Sequence, residues 1–217
     1  MLVEPLTLDG VIAGFNGGVF TNPDLSVVEA KFLPEDVARE TLKLVLDMGL
    51  DAWVYTADEW LLRDTKAPHA AREEWTVKFP PRVVQDFEAA LAKAAKIVGV
   101  SDDLDLVGRA EAEAQKRVGA RATAARSQPY YLDVTNHEAN KGAVVAYLAE
   151  RYGIAPSEIA TLGDQPNDVP MFVAGGVSVA MGQASDAVKA KATHVSESNE
   201  AEGFAIGVER FILGEGA

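Results

Sequence analysis

The decapeptide GDQPNDVPMF, Gly163 to Phe172, directly follows the apolar run IATL at Ile159 to Leu162. An apolar run of strand length that stops at a glycine and then sets Asp164, Asn167 and Asp168 close together reads as a buried strand delivering a polar turn at its carboxyl end. The flanking sequence continues that rhythm in both directions. NKGAVVAYLAERYG, upstream, spaces Val144, Val145, Leu148 and Tyr152 on one helical face and closes at Gly153. Downstream, NDVPMFVAGG reads as a short helix, VSVAMG as a strand, SDAVKAKA as a helix, THVS as a short strand and EGFAIGVERFIL as a closing amphipathic helix. Alternation of this kind predicts βα units on a largely parallel sheet, an α/β fold.

The middle of the chain has a different cadence. LSVVEAKF alternates like a strand, PEDVARETLKLVLDMG opens with Pro and acids and stops at Gly as a helix does, and LDAWVYTAD is a strand again. After a polar stretch carrying aromatics, AAKIVGV reads as a strand. SDDLDLVGRAEAEAQKRVG reads as a helix with Ser101 as its N-cap, and RATAARS with PYYLDVTN as two paired strands. Hairpins among single strands predict an α+β module, residues 22–136, inserted into the parallel domain formed by 1–21 and 137–217. The boundaries fall in the Asn- and Gly-rich loops NGGVFTNPD and VTNHEANKG.

Composition narrows the chemistry. The chain has 217 residues, 48% hydrophobic and 24% charged, which describes a globular protein with enough material for a core. A formal net charge of -13, with no Lys/Arg cluster, argues against nucleic acid or an anionic membrane as partner. With no cysteine, disulfides, thiolate metal sites and a cysteine nucleophile are excluded. No apolar run reaches the roughly 18 to 20 residues of a membrane span, and MLVEPLTLDG lacks the pattern of a signal peptide, so a cytoplasmic location is the expectation.

In a parallel sheet, ligands gather beyond the carboxyl ends of the strands, where Asp164 falls, with Asn167 and Asp168 opening the next helix. Carboxylates so placed suit Mg2+, which keeps waters and takes one or two protein carboxylates. A strand end followed by a helix cap explains an isolated D-x-x-N-D run equally well. An EF-hand loop does not, because its Gly and terminal Glu are missing. Lys141 begins the helix ahead of the Asp164 strand, where a cation opposes the macrodipole, so another group is expected to hold it there. Paired with the acids it suits holding a phosphoryl oxygen or orienting a nucleophilic carboxylate, whereas Lys141 taken alone reads as an ordinary surface lysine.

These residues together resemble the C-terminal part of the haloacid dehalogenase (HAD) superfamily, in its Cof-type sugar-phosphatase-like branch. Lys-Gly, then G-D-x-x-N-D, then VAMGQA, then AEGFA carry the resemblance, and GFNGG at Gly14 to Gly18 extends it toward the N-terminus. The resemblance implies a HAD-like Rossmannoid core with a C2-type cap and a Mg2+-dependent phosphatase acting on a small phosphorylated metabolite such as a sugar phosphate. It further implies that Asp164 binds Mg2+, that Asp168 supports it directly or through water, and that Asn167 and Lys141 face the phosphate. Asn16, which ends its strand in NGG, reads either as a residue shaping the phosphate side of the pocket or, equally well, as part of a tight turn.

The family's D-x-D-G-T run, which carries its nucleophilic and second catalytic aspartates, is absent from these residues, as is its Ser/Thr phosphate ligand. TLDGV at Thr7 to Val11 has one acid and no following Thr, so Asp9 reads as a turn residue. The expectation is therefore an incomplete sheet, a chain starting about two βα units into the family's fold through truncation or a misplaced start, and reliance on a separate segment or a homodimer contact. The rival reading is a non-catalytic remnant that binds a phosphorylated ligand or a protein. A kinase or other nucleotide-binding protein is disfavoured, since no Gly-rich phosphate loop is present. Of the aromatics in the inserted module, Trp53, Tyr55, Trp60, Trp75, Tyr130 and Tyr131, at most one or two are expected at a ligand.

Overall fold

The computed structural model describes residues 4–214, so the first three residues of MLVEPLTLDG lie outside the described residues. The described residues form two compact units that divide between Ala139 and Asn140.

The first unit runs β1 (Ile12–Gly14), a tight turn Phe15–Gly17, β2 (Val19–Thr21), β3 (Val27–Ala30), α1 (Glu35–Asp47), β4 (Asp51–Tyr55), β5 (Trp60–Leu62), α2 (Ala70–Val77), β6 (Arg82–Val83), α3 (Glu88–Leu91), β7 (Lys96–Val100), α4 (Leu104–Val118), β8 (Ala122–Gln128) and β9 (Tyr131–Asn136). Strands β1, β2 and β3 make a small antiparallel sheet that crosses the expected boundary at 21/22. The others form a six-stranded sheet in the order β6-β5-β4-β7-β9-β8, antiparallel except for β5 beside β6.

Alternation along these strands sorts the side chains onto two faces. Val54, Leu61, Ile97, Leu132 and Val134 join one buried cluster with Leu42 and Val45 of α1 and Val107, Ala110, Ala114 and Val118 of α4, whose spacing of three or four keeps them on one helical face. Trp53, Tyr55, Trp60, Val98, Val100 and Tyr131 occupy the opposite face. The Trp53 and Trp60 rings meet edge to face at 5.2 Å, and Tyr55 stacks on Trp60. Burial pushes the Tyr55 and Tyr131 hydroxyls well above the usual tyrosine range, and Tyr55 donates to Glu73 at 2.7 Å. Most of the candidate aromatics are thus core, while Trp75 is 72% exposed.

Two local expectations differ from the structure. The N-cap of α4 is Asp103, whose carboxylate accepts from the Leu106 N–H at 2.9 Å, whereas Ser101 accepts from the Asp103 N–H. Asp103 stands directly before the first helical residue, where a side-chain oxygen reaches the first turn, and Ser101 is two positions too early. The polar stretch between β4 and β7 is also not featureless: it holds β5, α2, β6 and α3.

The second unit follows the expected βα order: α5 (Lys141–Tyr152), β10 (Ala160–Gly163), α6 (Val169–Ala174), β11 (Val177–Ala180), α7 (Asp186–Lys189), β12 (His194–Val195) and α8 (Gly203–Val208), which continues into a π-helical turn Glu209–Leu213. The sheet is parallel, ordered β10-β11-β12, with β10 at its edge. Its core is small, built on Phe172, Ala180, Ala184 and Val188, and α5 buries no residue fully. No described helix is long and apolar enough to cross a membrane.

Candidate active site

Helix α5 starts sharply because Asn140 caps it, its side chain accepting from the Ala143 N–H at 2.8 Å. Lys141 is therefore the first helical residue, in the position the macrodipole makes unfavourable for a cation. Gly142 lets this end of α5 approach α6 closely: a Cβ there would lie 2.8 Å from the Pro170 carbonyl oxygen. The approach carries the Lys141 ammonium to the Asp168 carboxylate, where Nζ donates to Oδ1.

Asp168 closes the turn Pro166–Asp168 after β10 and folds back beneath it. Its Oδ2 accepts the backbone N–H of Asp164 at 2.8 Å and of Gln165 at 2.9 Å. The side chain is 4% exposed, and three donors on two oxygens meet the need of a buried carboxylate. Gly163 is required for this geometry, because a Cβ at 163 would sit 2.5 Å from Asp168 Cβ and Cγ.

Asp164 stands at the rim instead, half-buried. Its Oδ2 accepts from the side-chain amides of Gln165 at 3.2 Å and Gln183 at 3.3 Å. No described donor reaches its Oδ1. Asn167 lies in the same turn, on the exposed side. The structure thus brings Lys141, Asp164 and Asp168 into one connected cluster within the second unit. Asn16 belongs to the first unit, in the Phe15–Gly17 turn, with a left-handed backbone (φ 58°). Asp9 lies in an irregular stretch ahead of β1. Gln165 and Gln183 were not among the residues the sequence pointed to. Gln183 stands inside the VAMGQA run, but only the pairing of β10 with β11 places it beside Asp164.

A profile of the haloacid dehalogenase-like hydrolases matches residues 1–207. The chain belongs to that family. Its relatives within the haloacid dehalogenase-like hydrolases are distant in sequence and near in fold. A 5-amino-6-(5-phospho-D-ribitylamino)uracil phosphatase of Bacillus subtilis (strain 168) is 23% identical, over 96% of this chain and 80% of that protein. A haloacid dehalogenase-like hydrolase from Bacteroides thetaiotaomicron superposes with a TM-score of 0.84 at 26% identity, over 97% of this chain and 82% of the other. A sugar phosphatase of HAD subclass IIB shares the fold, with a TM-score of 0.80 at 19% identity, over 97% and 78% of the two chains.

The donor set can be tested against the cation such a family implies. Among the described residues no three His, Cys, Asp or Glu side chains gather as a metal cage. Zn2+ and Ca2+, which draw most of their ligands from protein, fit poorly. A single rim carboxylate with one open oxygen fits Mg2+, which retains much of its water. Asp168, with both oxygens engaged, fits a supporting place behind Asp164.

Proposed function

We propose that this chain carries the metal and phosphate side of a Mg2+-dependent phosphatase site for a small phosphorylated metabolite, such as a sugar phosphate. The observation that carries the reading is the Lys141–Asp168–Asp164 cluster, an ammonium and a rim carboxylate fixed around one buried acid at the carboxyl edge of a parallel sheet. The names of the relatives, a phosphorylated-metabolite phosphatase and a sugar phosphatase, agree with it.

In this reading Asp164 holds the cation, which when bound neutralises charge on the phosphate oxygens. Asp168 keeps the Asp164 loop closed and the Lys141 ammonium in place. Lys141, at 34% side-chain exposure, keeps N–H donors free of Asp168 for a phosphoryl oxygen, and Asn167 of the same turn contributes an amide to the phosphate. Residues 22–136 act as the cap and 1–21 with 137–217 as the catalytic core. Attack by an aspartate and hydrolysis of the acyl-phosphate need a nucleophile that the 217 residues do not supply in a D-x-D-G-T run, so these residues alone are proposed to be inactive. That same absence favours the second reading, a phosphorylated-ligand binder.

Two measurements test the proposal. Inorganic phosphate should bind in a Mg2+-dependent manner in calorimetry, with binding lost in Asp164→Asn and weakened in Lys141→Met. The 217-residue chain should release no p-nitrophenol from p-nitrophenyl phosphate with Mg2+; turnover would sink the claim that a nucleophile is wanting. Phosphate binding indifferent to Mg2+ and to Asp164 would sink the site assignment.

A further inference from the structure

We propose that Gln183 is a positioning residue for a cation at Asp164, clamping that carboxylate so that one oxygen alone faces outward. The inference rests on the metal reading above and adds to it a residue from a different loop.

Gln183 lies between β11 and α7, and both ends of its amide are engaged. Nε2 donates to Asp164 Oδ2 at 3.3 Å, and Oε1 accepts the backbone N–H of Asn199 at 2.9 Å. An exposed glutamine has no packing reason to stay in one rotamer, so two directed hydrogen bonds on opposite sides of its amide mark a bridge. The bridge stands on a rigid base. The Met181 N–H donates to the Gly163 carbonyl, the Gly182 N–H to the Glu197 carbonyl and the Ser196 N–H to the Ala180 carbonyl, each at 2.9 Å. A Cβ at Gly182 would lie 2.5 Å from the Ser198 nitrogen, so the loops after β11 and β12 are pressed together beneath Gln183.

The direction of the clamp gives it a purpose. Gln165 and Gln183 reach Asp164 from different loops, yet both donate to Oδ2. Two amides on one oxygen stop the carboxylate from turning about its Cβ–Cγ bond, and Oδ1 is left without a described donor. A carboxylate that only ended a strand would gain nothing from being oriented. One that must present a single oxygen to a hydrated cation would, and partners of this kind set the affinity of a metal ligand.

Gln183→Met keeps the length and bulk of the side chain and removes both hydrogen bonds. Gln165→Met removes only the second amide on Oδ2 and leaves the tie to Asn199. The probe is Mn2+ alone, titrated into the 217-residue chain and followed by electron paramagnetic resonance, with thermal unfolding recorded without metal. Each variant should weaken Mn2+ binding about tenfold, and Gln165→Met should do so with no change in metal-free unfolding. Equal Mn2+ affinity in Gln183→Met and the unaltered chain overturns the positioning role, whatever happens to stability, and leaves the metal reading standing. Binding that survives Asp164→Asn, or no binding by the unaltered chain, overturns the metal reading and this inference with it.

Discussion

At the scale of single residues, the site is organised by what one buried carboxylate must satisfy. Asp168 is shielded from water, so each of its oxygens has to find donors within the protein, and the chain around it is arranged to supply them. Gly163 is the residue that permits this. Replacing Gly163 with Ala forces a methyl group into the space of the Asp168 side chain, and neither a strand end nor a tight turn can move far. The substitution should lower stability by about 1–3 kcal/mol in urea unfolding, and it should weaken phosphate binding as well, because the displaced Asp168 no longer holds Lys141. Loss of stability with phosphate binding intact would separate the fold of the turn from the function proposed for it. Much of this cluster was legible beforehand: a lysine at an unfavourable helix start and acids after an apolar strand are local signals. Gln183 was not, because nothing within VAMGQA says which oxygen its amide will meet.

Secondary-structure elements decide where those side chains stand. Helix α5 buries no residue fully, so its start depends more on the Asn140 cap than a well-packed helix would. Asn140→Ala should cost about 1 kcal/mol and reduce helical circular dichroism, whereas Asn140→Asp should hold both near the unaltered values. An equal loss in Asp would mean that the cap is not what starts the helix. The same logic accounts for the misplaced cap of α4: SDD offers three capping side chains in succession, and only the position of the first helical N–H groups selects Asp103. The elements missed between β4 and β7 failed for a related reason. Strand β5 has three residues, all buried, and β6 has two, too short for any period to show.

Across the whole molecule, burial is uneven. The six-stranded sheet and its helices hold the large buried side chains, including Trp53, Trp60, Leu91, Ile97 and Leu132, while the cluster in the second unit rests on four residues. Hydrogen exchange should follow this division, with the central strands β4, β7 and β9 protected longest and α5 exchanging far sooner. Protection of α5 equal to that of β7 would show that its half-exposed face is covered in solution. Sequence alone determined the order of elements in the second unit, the hairpin of β8 with β9, and the grouping of Lys141, Asp164 and Asp168, because periodicity, helix signals and turn residues act between near neighbours along the chain. Tertiary structure alone decided how the remaining strands pair, that Asp168 is buried as a hub while Asp164 stays at the rim, and that Gln183 reaches Asp164. Those outcomes depend on register and on close approach between segments far apart in sequence, and no local pattern encodes the distance between two loops.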